Sequence, residues 1–387
     1  MSSTPTWFEG FEGGDLSSAF GSYITGTCSI SGVGIGDTTK HEGNFAFKAN
    51  PDDGVEEKGC GYIYKALVAT GAMTGNLDTN DCYVSVFIKA AARPASDSEQ
   101  ILVFTQDNTD RLQVHLRSDG KLELFDESDS SIGVSTTVLG TGTWYLVEVK
   151  YKYVDLDTCE CELRIDGASE VTSTEENFPS DDVDYLVVGK IRDKNNKGYT
   201  CYFDDIAICD DGYVEQPFLV KAVVPDADGN YTAWTGSYTD IDEAIPDGDT
   251  TTINSTGTGQ QQSASCASVS AIVSGRSIVA VRSLYLLNRG YTTTVKIFWR
   301  DSDGTDNKTA SAFTLGEAYN NPLAQFYTED PVTSAAWTIS GINASEIGVE
   351  CITASVPADS AYWTSGKIHL ALAGSAGRVM IAYNFGG

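Results

Sequence analysis

Apolar and polar residues alternate with a period of two along much of this chain. The segments Tyr83–Ala90, Ile101–Gln106, Leu112–Arg117, Lys121–Phe125, Tyr145–Tyr153, Cys161–Ile165 and Tyr185–Lys190 alternate or are rich in β-formers, the pattern of strands that bury one face. Between them stand DNTD, SDGK, GTGT and RDKNNKG, which supply the Asx and glycine chemistry that turns require. A second series follows at Ser277–Leu287, Thr293–Trp299, Ile347–Thr353, Ile368–Leu372 and Arg378–Phe385. Helical periodicity nowhere persists beyond about two turns, and Tyr64–Met73 is its best candidate. The pattern predicts an all-β protein.

One hairpin is specified down to its register. With Tyr153 opposite Cys159, Lys152 faces Glu160, Lys150 faces Glu162 and Glu148 faces Arg164. The other face then stacks Tyr151 on Cys161, Val149 on Leu163 and Val147 on Ile165. A slip of one residue would set charged groups against core groups throughout, so the register is strongly determined. This reading makes Glu148, Glu160 and Glu162 surface ion-pair partners, with Cys159 and Cys161 as core-facing or strand-end thiols.

At 387 residues the chain exceeds the roughly 250–300 at which single cores stop growing, so two domains are expected. The first closes with GYTCYFDDIAICDDGY and spans 1–213. Residues 214–224 include the run PFLVKAVV, which is too apolar for a free linker and reads as a packed connector. Residues 225–387, poorer in Lys and richer in Thr, Ser and Ala, form the second domain.

Charge narrows the set of partners. Lys and Arg total 25 against 54 Asp and Glu, a net charge of -29 spread along the chain. Such a field repels phosphate backbones, so no nucleic-acid partner is expected. No run approaches the roughly 18 apolar residues of a membrane helix, and no membrane partner is expected either. The opening MSSTPTWFEGFEGGD lacks a basic and an apolar region, so synthesis in the cytoplasm without a signal peptide is expected. There are nine cysteines, at 28, 60, 82, 159, 161, 201, 209, 266 and 351. The number is odd and no CxxC occurs, which reads as small buried hydrophobes rather than disulfides or a zinc site.

Candidate chemistry is sparse. His41, His115 and His369 lack partners at metal-ligand spacing, and there is no G-x-S-x-G, P-loop or HExxH. His115, within LQVHLR, reads as an outward or hydrogen-bonded strand residue. Glu123 and Asp126 fall on opposite faces of a strand, and Asp155 and Asp157 on a hairpin loop. No catalytic residue is assigned, and the expectation is a protein that is not an enzyme.

Two passages resemble known families. TWFEGFEGGDLSSAF, GTWYLVEVKYKY with LRIDG, and YFDDIAICD resemble the concanavalin A-like (laminin G-like) jelly roll over residues 1–213. The fold expected is therefore a concanavalin A-like jelly-roll sandwich plus a second β-sandwich domain. That resemblance places the terminal strands side by side and brings Glu12 and Asp15 near Asp204 and Asp205. Clustered carboxylates call for an oxygen-seeking cation, a structural Ca2+. The alternative is that Asp205 bonds backbone amides while the others face solvent.

The second passage, within 223–353, contains VPDADGNYTAWTG and YTEDPVTSAAWTISGINASEIGVECI. It is similar to a segment of tailed-bacteriophage virion structural proteins, a D-P-x-T-x-x-x-W-T stretch before a G-V strand. Here these are Asp330, Pro331, Thr333, Trp337 and Thr338, then Gly348 and Val349. The resemblance implies a virion protein, an outer capsid (decoration) or tail-associated component. Its implied partners are major capsid or tail proteins and further copies of itself in a homo-oligomer. The competing expectation is a phage adhesin that binds host or mucosal glycan, with Tyr23, Trp144, Tyr185, Trp234 and Trp363 as stacking candidates.

Overall fold

A computed structural model describes residues 5, 7–12, 24–25, 28–32, 38–41, 43–49, 62–66, 81–95, 97–106, 109–155, 158–176, 183, 185–189, 199–214, 216, 218–247, 250–255, 257–289, 293–315, 321–353 and 361–374. The chain up to Cys209 forms β1 (Trp7–Glu9), β2 (Ile24–Thr25), β3 (Cys28–Gly32), β4 (Phe45–Ala49), β5 (Tyr62–Ala66), β6 (Asp81–Ala90), β7 (Ser98–Gln106) and β8 (Thr109–Arg117). Then come β9 (Lys121–Phe125), β10 (Ser131–Val138), β11 (Trp144–Asp155), β12 (Thr158–Ile165), β13 (Ala168–Glu176), β14 (Tyr185–Gly189) and β15 (Cys201–Cys209). One antiparallel sheet runs β13-β12-β11-β6-β15-β4-β3 with β1 beside β15, and the other runs β10-β9-β8-β7-β14-β5-β2. Their facing sides bury Phe47, Val86, Phe104, Leu112, Val149 and Phe203 in one core. This is a two-sheet antiparallel β-sandwich, in line with the all-β expectation. The stretch read as helical starts in β5, because Tyr64 to Ala66 pair with β14; residues 67–73 lie outside the described residues.

The β11–β12 hairpin has the register set by its sequence, from Val147 opposite Ile165 to Tyr153 opposite Cys159. Cys159 and Cys161 are buried on the core side. Two details differ. Arg164 Nε lies 3.8 Å from its opposite residue Glu148, as expected, and 4.0 Å from Glu162 on its own strand, but Lys150 reaches diagonally, with Nζ 2.7 Å from Glu160 instead of its opposite residue Glu162. Glu148 is not a surface group, being 2% exposed. Chain beyond β15 folds back over this face and lays Tyr213 against Tyr83 and Arg164.

Among the described residues, Cys82, Cys159, Cys161, Cys201, Cys209, Cys266 and Cys351 are free thiols, and all but Cys266 are fully buried. Burial pushes the Cys82 thiol up to about 12. Such thiols pack as hydrophobes. The Cys28 side chain and Cys60 are outside the described set.

The remaining strands are β16 (Leu219–Val223), β17 (Pro225–Thr232), β18 (Ile253–Ser255), β19 (Gln261–Cys266), β20 (Arg276–Arg289), β21 (Thr294–Arg300), β22 (Asp306–Lys308), β23 (Phe313–Thr314), β24 (Asn321–Tyr327), β25 (Glu346–Thr353) and β26 (Ala361–Gly374). Short helices α1 (Ser270–Val273) and α2 (Ile339–Asn343) join them. One sheet is β16-β26-β20-β24 with β18 beside β26; the other is β17-β19-β25-β21-β22 with β23 beside β21. Tyr285, Trp299, Trp337 and Trp363 lie in the core between them. The apolar run after residue 217 becomes β16, paired along β26.

The Asp330–Val349 pattern is folding instruction. Asp330 Oδ1 accepts the Val332 N–H at 2.9 Å and holds a tight turn. Trp337 packs edge-on against Trp299 at 5.4 Å and donates its indole N–H to Tyr327 O. Thr338 Oγ1 caps α2 by accepting the Gly341 N–H at 3.0 Å. Gly348 leaves room for Phe298, whose ring would lie 2.1 Å from any Cβ there.

Candidate functional site

Two polar constellations lie away from the cores. The first is buried between the two sandwiches. β15 is buried at all nine positions, because one face meets the first core while Ala207 and Cys209 pack with Val220, Ala280 and Ala371 from the second half. Its register slips between Asp204 and Ala207, and Asp205 adopts φ 47°, a bulge that re-aims side chains. Asp204 accepts the His41 and Asp205 N–H groups at 2.9 and 2.8 Å. Asp205 bonds His41 Nδ1 at 2.7 Å and accepts the Val220 N–H at 2.6 Å.

Glu12 Oε1 accepts the Asn44 and Phe45 N–H groups at 2.7 and 3.1 Å. It sits where a side chain at Gly43 (φ 65°) would stand. Burial pushes Glu12 up to about 8 against the pull of those amides, so near neutral pH the carboxyl holds a proton. Burial and the neighbouring carboxyls of Asp205 and Glu12 push Asp204 well above its usual range. The second sandwich adds Lys367, which donates to Glu12 O at 3.1 Å and Ala244 O at 2.7 Å.

Glu12, Asp204 and Asp205 therefore do come together, and Asp15 lies outside the described residues. Yet among the described residues no group of three or more His, Cys, Asp and Glu is arranged to hold a metal ion. Amide N–H groups take both Asp204 oxygens, Asp205 Oδ1 and Glu12 Oε1, and His41 takes Asp205 Oδ2; Glu12 Oε2 is buried without a hydrogen-bond partner, and a protonated Glu12 lowers the local charge. These residues do not fit the Ca2+ expected from sequence.

The second constellation lies on the outer face of the seven-stranded sheet. Leu102, Val114 and Leu124 align across β7, β8 and β9 toward the core. The alternate row therefore points outward, setting Gln100, His115 and Glu123 opposite one another, with Val103, Gln113 and Phe125 in the next row. Outward positions of an antiparallel sheet ordinarily face water, but Gln113 is 0% and Gln100 2% exposed, and Arg111 and Glu123 are also buried.

The side chains form one network. Gln100 Nε2 donates to Gln113 Oε1 and to Asp110 Oδ2. Gln113 Nε2 donates to Asp126 O at 3.1 Å and Asp129 Oδ1 at 2.9 Å. His115 Nε2 lies 3.0 Å from Gln113 Oε1, and its Nδ1 lies 3.1 Å from Ser98 Oγ. Gln113 Oε1 can only accept, so His115 carries a proton on Nε2. Its ring lies 4.3 Å from the half-buried ring of Phe125. Glu123 accepts from Arg117 at 2.9 Å and Ser131 Oγ at 2.6 Å, while Arg111 pairs with Glu127.

His115 is outward and hydrogen-bonded, as its sequence context indicates. Glu123 and Asp126 do not act as a pair, because Asp126 Oδ1 accepts the Ser128 and Ser130 N–H groups in the turn. Of the proposed stacking aromatics, Trp234 and Trp363 belong to the second core. Trp144 donates to Lys40 O at 3.0 Å on the other sheet, and Tyr23 is outside the described residues. Half-buried Tyr185 shares a row of the site sheet with Thr105. The participation of Gln100 and Gln113 was not anticipated; the available signal was β8 itself, whose outward positions read Arg111, Gln113, His115, Arg117.

Beside β17, a groove of about 360 Å³ is lined by Asn230, Tyr231, Thr232, Ala233, Gly259 and Gln261. Tyr231 donates to Asp306 at 3.0 Å there, beneath the Arg300 guanidinium.

No family model matches the chain, and no curated protein matches it. Among solved structures, it is similar to an endo-β-1,4-glucuronan lyase from the fungus Trichoderma reesei at 12% identity and TM-score 0.39, over 53% of this chain and 95% of that one. A PL-14 alginate lyase from Aplysia kurodai aligns at 13% and 0.38, over 54% and 100%. The binding domain of Paraclostridial Mosquitocidal Protein 1 aligns at 15% and 0.36, over 54% and 49%. Likenesses this distant carry no argument about ligand or reaction. They do correct the expectation that the chain is not an enzyme: sandwiches named as lyases stand among its neighbours, so missing familiar motifs do not exclude chemistry.

Proposed function

We propose that this chain is a glycan-binding β-sandwich protein carried on the surface of a tailed-phage particle. The observation that supports glycan binding is the hydrogen-bonded polar network on an outward sheet face, Gln100–Gln113–His115 with Glu123 beside it. Side-chain amides and carboxylates held by hydrogen bonds on one sheet face, which also carries the half-buried rings of Phe125 and Tyr185, match the alternating hydroxyls and apolar faces of a sugar.

The virion setting is supported by the pattern from Asp330 to Val349 and by a charge of -29, which keeps such a protein off packaged DNA. Partners there would be capsid or tail proteins and further copies of this chain.

A glycan array probed with the full chain tests the binding reading. Specific binding that His115→Ala and Gln113→Ala abolish, with melting temperatures retained, is the expected result; a silent array overturns it. Turnover of a bound glycan would extend the reading to catalysis. Antibody labelling of purified particles tests the setting, and particles free of the protein would refute it.

A further inference from the structure

We infer that the outer face of the eight-stranded sheet carries a second binding site, built from His41, Lys89 and Trp144, that takes a glycan ending in a single carboxylate-bearing sugar. This goes beyond the reading above and stands apart from it, because these residues lie on the opposite sheet from Gln100, Gln113 and His115.

Register places the row. Trp144 of β11 pairs with Lys89 of β6, Lys89 with Tyr202 of β15, and Tyr202 with Lys48 of β4. Their chain neighbours Ile88, Phe203 and Phe47 fill the first core, so the row points outward. Rings and ammoniums therefore alternate across four strands. Lys89 Nζ sits between the two rings, 6.0 Å from the Trp144 centroid and 5.9 Å from that of Tyr202, and makes no ion pair among the described residues. Lys89 and Trp144 are half-buried, so both present surface to a ligand.

His41 completes the site. Its ring stacks on Phe87 at 3.6 Å and meets Trp144 edge-on at 5.6 Å. Wholly buried Asp205 holds Nδ1 at 2.7 Å, and Asp204 accepts the His41 N–H. That contact keeps the ring proton on Nδ1 and leaves Nε2 as an acceptor. No hydrogen bond among the described residues occupies Nε2, and the side chain is 21% exposed. Asp205 reaches His41 from a left-handed backbone, φ 47°, strain of the kind retained where a side chain must be aimed.

The three groups define a ligand. An indole takes the apolar face of a sugar ring, Nε2 accepts a hydroxyl, and an ammonium with no carboxylate of its own calls for one on the ligand. Lys40, on the same loop as His41, donates to Gly43 O and also makes no ion pair among the described residues. The acids behind the site, Asp204 and Asp205, are 0% exposed and already bonded. A net charge of -29 repels a polyanion at long range. One carboxylate within a Debye length, about 8–10 Å, answers to the nearest charges instead.

The test is an array printed with glycans ending in one sialic or uronic acid, with their neutral counterparts and with polyuronates, probed with the full chain at physiological salt. Single-acid glycans should bind at least tenfold above both other classes. Lys89→Gln should erase that preference and Lys89→Arg should retain it. His115→Ala and Gln113→Ala, which alter the other face, should leave it intact. Should Lys89→Gln not fold, Trp144→Ala serves in its place, with at least a tenfold loss for the best single-acid binder in calorimetry. Neutral glycans or polyuronates that match the single-acid class would overturn this inference and leave the reading above standing. So would a preference that survives Lys89→Gln, an affinity unchanged in Trp144→Ala, or a preference abolished by His115→Ala. A silent array would overturn both.

Discussion

The buried ion pair between the sandwiches should decide whether the two halves unfold together. Arg282 from β20 is 5% exposed and Glu9 of β1 is 1% exposed, with Nη2 2.8 Å from Glu9 Oε2. The same guanidinium donates to Phe8 O at 3.3 Å and to His369 Nδ1 at 2.7 Å. Burial, with Arg282 and Lys367 nearby, holds His369 well below its ordinary value, so it is a neutral acceptor. Arg282→Met therefore strands a buried carboxylate, a carbonyl and an imidazole nitrogen. Breaking a buried pair from one side costs about 3–5 kcal/mol, a large share of a domain's roughly 5–15 kcal/mol. With a urea m-value of about 3 kcal/mol/M for a chain this size, the midpoint should fall by at least about 1 M. The transition should also split as the halves uncouple. The double variant Glu9→Gln/Arg282→Met removes both charges while keeping an acceptor for the Phe11 N–H, which Glu9 Oε1 takes at 2.6 Å, and should recover at least half the loss. A single-variant cost below about 1 kcal/mol, the scale of an exposed pair, or a double variant no better than the single one, would refute the reasoning.

Glu12 predicts a pH dependence. Its folded pKa is raised to about 8 from 4.5, so between those values the native state binds more protons and stability falls as pH rises. Thermal melts should show that decline, and Glu12→Gln should flatten it; an unchanged slope would count against a buried, protonated Glu12. Trp337→Ala removes a ring that packs on Trp299 and Tyr327 and should cost about 3–5 kcal/mol in chemical denaturation, with loss of near-ultraviolet dichroism. Lys150→Glu should destabilise by about 0.2–1 kcal/mol. Because the contact at 2.7 Å is to Glu160, rescue should come from Glu160→Lys, and better rescue by Glu162→Lys would contradict the diagonal geometry.

What sequence could and could not reveal follows from how far each signal reaches. The β11–β12 register was legible because two adjacent strands carried complementary patterns, and a local slip would have exposed every core residue. The reach of the side chains was not legible: Lys150 passes its opposite residue Glu162 to meet Glu160. Strand β10 keeps no clean period, since register slips interrupt its pairing, and β2, β22 and β23 are too short to show one.

The buried polar junction was invisible for a different reason. In β26 the residues Ile368, Leu370 and Leu372 face the second core, and alternation alone assigns Lys367, His369 and Ala371 to solvent. The first sandwich occupies that side, so Lys367 and His369 are buried. Arg282, opposite His369 on β20, is enclosed by the same contact. A two-residue period reports that a strand has two unlike faces; which of them meets water is decided by the second half of the chain. The Gln100–Gln113–His115 face is the converse, since its polar alternation was visible in LQVHLR while its burial was not. Polar residues enclosed on the outward face of a sheet must satisfy one another, and the bonds from Gln113 to Gln100 and His115 are what distinguish this face from an ordinary solvated one.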